Sequence, residues 1–221
     1  MKVTLLNVTP NAEDHIVEVA RVSSSRKNKK DKPEGLLRYL VQHKHWSPFE
    51  HSYATFEIET SKAIGIQLIR HRSFSFQEFS QRYSEATEFE PIELRKKAKL
   101  NRQSSLEVFD PEINYEYLEN KESSEIIQLT LTKLKMLYDT LIDKGVSKKT
   151  ARSILPECTQ THMYMNGTIR SWLSFLNVRL DKHSQQEIRD IAIEVANILK
   201  TEFPLIVEST NNFNDFKGLF M

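Results

Sequence analysis

The sequence predicts an α+β fold: one domain over residues 1–221, with mixed helices around a small, mainly antiparallel sheet. Three observations lead there. Segments that alternate with a period of two are interleaved with segments whose apolar residues step by three and four, the marks of strands and helices. A chain of 221 residues, 39% hydrophobic and 28% charged, can bury most of its apolar surface without metal or disulfide staples. No internal repeat, low-complexity segment or linker marks the start of a second domain.

The elements follow in order. Lys2 to Thr9 alternates well enough for a strand; Pro10-Asn11 breaks it, and Asn11 is expected to cap a helix with Ile16, Val19 and Ala20 on one face. Ser23 to Lys32 reads as a solvated basic loop. Pro33 suits a first helical turn, and Leu36, Leu37, Leu40 and Val41 give that helix its stripe. Tyr53 to Glu59 sets Ala54, Phe56 and Ile58 against Tyr53, Thr55 and Glu57, a half-buried strand. Ser61 then caps a helix through Ile64, Leu68 and Ile69. Residues 84–121 are polar and weakly periodic and yield no element. Ile127, Leu131, Leu134, Tyr138 and Leu141 mark a long amphipathic helix closed by Gly145. Ser147 opens a short helix limited by Pro156, and Thr161 to Met165 reads as a strand. Thr168 caps a helix to about Leu180. Ser184 and Glu187 form a capping box for a last helix with Ile188, Ile191, Ala192, Val195 and Leu199, ending near Pro204. The Asn-rich tail from Asn211 is expected to fray or to dock on a partner subunit.

Composition narrows the function. Lys and Arg number 31 against 30 Asp and Glu, which argues against a general nucleic-acid or membrane-surface binder. No apolar run approaches the roughly 18 residues that span a bilayer, and Met1 to Leu6 is too short for a secretory signal, so a cytoplasmic location is expected. The single cysteine, Cys158, allows no internal disulfide and no multi-cysteine zinc site. None of the five glycines builds a phosphate-cradling loop, which removes the common dinucleotide and P-loop readings.

The densest chemistry is RHRSFSFQEFSQRY, Arg70 to Tyr83. Gln67, Arg70 and His71 are spaced to share one helix face. Arg70, Arg72 and Arg82 offer planar forks for phosphate oxygens, Ser75 and Ser80 add hydroxyls, and Glu78 can accept from ribose hydroxyls or hold an arginine. Ordinary ion pairs at a surface helix end would account for these arginines too. His43, His45 and His51 surround Trp46 to Glu50; Pro48 breaks any helical pairing, so a polar loop lining a site is favoured over a metal centre. In the helix from Thr168, Trp172, Phe175 and Leu176 form an apolar stripe that ends at Arg179, while Arg170, Ser174 and Asn177 form a separate polar stripe. Arg152, between Ala151 and Ile154-Leu155, should bury part of its stem and need an anion at its head. Cys158 lacks an electropositive setting and reads as an inert thiol. Several arginines on ordered elements, with no nucleophile-base triad, suit a polyanionic ligand and a cofactor that does the hard chemistry.

At Arg70 to Ser80 the chain carries Arg-His-Arg, seven residues, then Ser, followed by Arg82-Tyr83, and so resembles the flavin-dependent thymidylate synthases. His45 to His51, Ala151-Arg152 with Leu155-Pro156, Arg170-Ser171 and Phe175 to Arg179 resemble further segments of that family in the expected order; Gln77 departs from it, where the signature prefers Asn. The resemblance implies an α+β homotetramer with active sites at subunit interfaces. It implies a methyltransferase that makes dTMP from dUMP, with methylenetetrahydrofolate as one-carbon donor, NADPH as reductant of FAD, and no enzyme nucleophile. By resemblance His45, Ser47, Arg70, His71, Arg72, Glu78, Thr168, Ile169, Arg170 and Ser174 would line the flavin. Gln67, Arg70, Glu78, Phe79, Ser80, Gln81, Arg82, Arg152 and Arg179 would hold dUMP, with Arg179 as the catalytic group and no metal. The competing expectation is a non-enzymatic nucleotide- or RNA-binding module using the arginines and the Lys27 to Lys32 run, against which the near-zero net charge weighs.

Overall fold

The structure, a computed structural model, describes residues 1–23, 32–85, 88–98 and 105–211. Most of the basic run at 23–32 and the tail beyond Asn211 lie outside the described residues. The fold class is α+β, as expected. In chain order the elements begin with β1 (Lys2–Val8), α1 (Ala12–Arg21), α2 (Pro33–Gln42), a 3₁₀ turn (Ser47–His51), β2 (Tyr53–Ser61), α3 (Lys62–Leu68) and β3 (Phe74–Glu78). Next come β4 (Arg95–Lys97), β5 (Ser105–Val108), β6 (Glu112–Tyr115), β7 (Leu118–Glu122), α4 (Ser123–Asp143), α5 (Lys148–Ala151) and a second 3₁₀ turn (Arg152–Ile154). The chain continues through β8 (Gln160–Thr168), α6 (Ile169–Arg179), α7 (Gln186–Glu202) and α8 (Pro204–Asn211). One sheet has the order β1-β2-β8-β3; β4 pairs with β5, and β6 with β7, both antiparallel.

The chain forms two compact units: Met1–Ile58 with Gln67–Gln77 and Met163–Met221, and Glu59–Ile66 with Glu78–His162. Their boundaries fall inside β2, α3, β3 and β8, so no linker marks them in the sequence.

In the first unit β2 follows its pattern: Ala54, Phe56 and Ile58 are buried and the residues between them are not. In β8, Met163 and Met165 point into the same core. Trp172 on α6 centres that core; its ring meets Phe56 at 4.7 Å and Phe74 at 4.6 Å, both edge-on, and its Nε1–H donates to the Ala54 carbonyl at 3.0 Å. Edge-to-face pairs of this kind add about 0.5–1.5 kcal/mol each beyond area burial. Gly167 is required beside them, because a Cβ there would sit 2.5 Å from Phe74 Cε1 and 3.2 Å from Cγ.

Four local expectations change in this unit. Asn11 sits in the left-handed region at φ 49°, where its side chain makes no cap bond, and the buried face of α1 is Ala12, Ile16 and Val17 rather than Ile16, Val19 and Ala20. The Ser184–Glu187 capping box does not form: Ser184 Oγ donates to the Val178 carbonyl at 3.2 Å, and α7 starts at Gln186. Helix α7 ends at Glu202, near Pro204 as expected, but it is not the last helix: Pro204 opens α8, since proline at a first helical position loses no hydrogen bond. The carboxylate of Glu13 accepts from Ile206 N at 2.8 Å at that helix start, and burial raises its pKa despite the bond.

In the second unit, the described part of the stretch from 84 to 122 contains four short strands, β4 to β7, that the sequence does not reveal. All four residues of β6 are exposed, so neither face leaves an apolar alternation to read. Helix α4 matches its apolar steps and is closed by Gly145 at φ 86°. Among the described residues no helix is long and apolar enough to cross a membrane.

Candidate active site

The first unit holds the Arg-His-Arg segment. Gln67, Arg70 and His71 do not share a helix face: α3 ends at Leu68, His71 N donates to the Leu68 carbonyl at 3.0 Å, and the chain turns into β3 within five residues. Gln67 stays on the last turn of α3, where its amide donates to Gln185 Oε1 at 2.6 Å.

The turn delivers His71 to the end of α6. Arg179 Nε–H donates to His71 Nε2 at 2.8 Å. The imidazole stands edge-on to Phe175 at 5.0 Å and to Phe74 at 6.3 Å. Burial, then the positive charge of Arg179, hold its pKa down to about 4, so the ring is neutral at pH 7. Because Nε2 accepts, the ring proton is on Nδ1. Arg179 is also shifted downward, chiefly by burial and then by Arg70, yet an arginine remains a cation. The stripe that was expected to carry Arg179 is fully formed, with Trp172, Phe175 and Leu176 all buried.

The N-terminus of α6 is held as the sequence implies. Thr168 Oγ1 accepts from Ser171 N at 3.1 Å, and Ser171 Oγ donates to the Ser73 carbonyl at 3.2 Å, fixing the turn after Arg72. Ile169 is a core residue whose N–H donates to the Ser52 carbonyl at 2.9 Å. Arg170, Ser174 and Asn177 are exposed together, and Arg170 pairs with Glu50. His45 and Ser47 are exposed in the loop anchored by buried Pro48 and Phe49, where Tyr39, His43 and His45 form a ring cluster. Arg70 and Arg72 are exposed, and neither has a carboxylate partner among the described residues.

The second unit carries the rest. Glu78 Oε1 accepts from Lys62 Nζ at 2.7 Å and from Thr161 Oγ1 at 2.9 Å. A lysine, not an arginine, therefore holds Glu78; neither Lys62 nor Thr161 was singled out by the sequence, since each is an isolated polar residue until the fold brings it to Glu78. Phe79 packs on His162 at 5.2 Å and donates its N–H to that residue's carbonyl. Ser80 to Tyr83 form a turn, Tyr83 N donating to the Ser80 carbonyl at 3.1 Å. Gln81 is buried at 7% exposure, and its Nε2 has no hydrogen-bond partner among the described residues. Lys148, also missed in the sequence, donates to the Tyr83 carbonyl at 3.4 Å and pairs with Glu85 at 3.1 Å, tying the start of α5 to this turn. Arg82 lies over the Tyr83 ring, and Arg152 follows Lys148 by one helical turn. Neither arginine has a carboxylate partner among the described residues, and Arg152 is exposed. Cys158 is half-buried, and burial pushes its thiol pKa up. A cavity of about 540 Å³ between α4 and the β4–β6 region of this unit touches none of the expected site residues.

The chain matches the family described as "Thymidylate synthase complementing protein" over residues 4–205. It belongs to that family. Among its relatives, a protein named flavin-dependent thymidylate synthase in Synechocystis is 41% identical over 194 residues, covering 88% of this chain and 87% of the relative. One named probable flavin-dependent thymidylate synthase in Paramecium bursaria Chlorella virus 1 is 39% identical over 200 residues, covering 90% of each. A relative named flavin-dependent thymidylate synthase in Dictyostelium discoideum is 33% identical over 220 residues, covering 94% of this chain and 70% of that one. The match with the family therefore includes the Arg70–Ser80 signature, the 151–156 segment and α6.

Proposed function

We propose that this chain is an FAD-dependent thymidylate synthase, an enzyme that reductively methylates dUMP to dTMP with methylenetetrahydrofolate as carbon donor and NADPH as reductant. The observation that carries the reading is the contact between the Arg-His-Arg segment and Arg179: residues 108 positions apart meet through one charge-assisted hydrogen bond.

The residues present suit the cofactor. Arg70 and Arg72 are exposed guanidinium groups without carboxylate partners among the described residues, the chemistry a diphosphate needs. Exposed His45, Ser47 and Ser174 add hydrogen-bonding groups in the same unit, with Thr168 and Arg170 at the start of α6; Glu78 adds one in the second unit. When bound, FAD would supply the reducing equivalents that NADPH delivers.

For dUMP, Arg82 and Arg152 are the phosphate ligands, because a guanidinium fork matches phosphate oxygens two at a time. Gln81 offers a buried amide donor that has no partner among the described residues, as a nucleotide-facing group would. Glu78 keeps Oε2 for the nucleotide while Lys62 and Thr161 hold Oε1. Gln67, Phe79 and Ser80 complete the set. Arg179 stabilises negative charge developing on the uracil ring at O2, N3 or O4, and so activates C5. No enzyme nucleophile is used, and the raised pKa of Cys158 supports that assignment. The working enzyme is proposed to be a homotetramer with sites at subunit interfaces, located in the cytoplasm.

The test is direct. The purified protein, incubated with FAD, should turn yellow, oxidise NADPH anaerobically and form dTMP only when dUMP and methylenetetrahydrofolate are both present. A protein that stays colourless and binds RNA would instead be a nucleic-acid-binding module.

A further inference from the structure

We propose that His71 is a positioning residue for Arg179: its neutral imidazole accepts the Nε–H and fixes the guanidinium plane, leaving the two terminal amino groups for the substrate. By family resemblance His71 would simply touch the flavin; the geometry gives it a second task. The Nε–H bond is 2.8 Å long, and among the described residues the Arg179 guanidinium has no other hydrogen-bond partner. The accepting ring is itself held, with Phe175 at 5.0 Å and Phe74 at 6.3 Å, both edge-on. Phe74 and Phe175 in turn pack on Trp172 at 4.6 and 5.7 Å, so the orientation of the guanidinium is inherited from the buried core. An arginine side chain left to itself has four rotatable bonds, and one fixed acceptor at Nε removes most of that freedom. Burial and the neighbouring cation keep the ring neutral, as the role demands, because an imidazolium has no lone pair to offer.

The inference rests on the reading of Arg179 as the group that acts on the uracil. It is tested with protein labelled with ¹⁵N at histidine and arginine, comparing the wild type with His71→Gln and His71→Leu. Gln places an amide oxygen where Nε2 was; Leu places none. Before any ligand is added, the wild-type spectrum should show His71 protonated at Nδ1 and bare at Nε2, with Arg179 Nε–H shifted from the free-arginine position. His71→Leu should return that resonance to the free position and lower kcat about 10²-fold with much smaller change in the KM for dUMP. His71→Gln should recover most of both losses. The inference is overturned if Nε2 carries the proton, if the Arg179 resonance is already at the free position, or if Gln and Leu lose flavin and turnover alike. Arg179→Ala separates the two layers: near-normal turnover there removes the underlying reading, whereas an inactive Arg179→Ala with an unshifted wild-type resonance removes only the role of His71.

Discussion

Adding one methyl group at Gly167 should loosen the core that carries the site. The new Cβ would lie 3.2 Å from Phe74 Cγ, 2.5 Å from Cε1 and nearer still to Cδ1, the last two about 1 Å or more inside ordinary carbon–carbon contact. The ring has little room to retreat. Phe74 is 9% exposed, its edge contact with Trp172 is 4.6 Å, and Trp172 is pinned by its bond to the Ala54 carbonyl. Overpacking of this kind costs about 1–3 kcal/mol. For a chain of this size each kcal/mol moves the melting temperature by about 2–4 °C, so Gly167→Ala should lose about 2–12 °C. Thermal and urea melts at one fixed protein concentration measure it. Phe74→Leu in the same background should relieve the clash, so that the double variant is less destabilised than the two single losses added together. A Gly167→Ala melt within 1 °C of wild type, or strictly additive losses, would refute the reasoning.

Three further outcomes are expected. Thr168→Ala removes the side chain that caps α6 and should cost about 1 kcal/mol, read as a lower urea midpoint with unchanged slope. The His71 pKa of about 4 lies below the ordinary value, so between about pH 6.5 and 4 the unfolded chain binds the extra proton; the native state should lose stability as pH falls through that window and level off below it. Allowing for the partly exposed ring, that loss is on the order of 1–2 kcal/mol. His71→Gln should lack it, while Glu13, whose raised pKa acts in the opposite direction, is common to both proteins; equal losses between pH 7 and 4.5 would contradict the assignment. Arg82→Lys and Arg152→Lys keep the charge but not the fork, so the KM for dUMP should rise with flavin content unchanged, and the reverse pattern would exchange their roles.

Much of this was legible in the chain where burial imposes a period. Strand β2, helix α4, the Thr168 cap and the Trp172–Phe175–Leu176 stripe are written as apolar spacing, and each forms as read. Strands β4, β6 and β7 are short and largely exposed, so no face selects a pattern. The signature residues could be named, but their arrangement could not. A helical spacing from Gln67 to His71 is real in the sequence and is cut off by the turn into β3, which sends His71 to Arg179 rather than along a shared face with Gln67. Lys62, Thr161 and Lys148 gain meaning only from long-range contacts, which leave no local trace.

Decisive for the proposed chemistry is a single-turnover comparison of the wild type with Arg179→Ala, each loaded with FAD, reduced anaerobically by NADPH, then given dUMP and methylenetetrahydrofolate. Loss of one preorganised electrostatic contact typically lowers kcat by about 10²–10³. The Arg179→Ala protein should therefore keep its flavin and its rate of flavin reduction while dTMP formation falls by that factor. A variant with a lower melting temperature but near-normal dTMP formation would show that Arg179 only complements the C-terminal dipole of α6, worth about 0.3–1 kcal/mol, and would contradict its catalytic role.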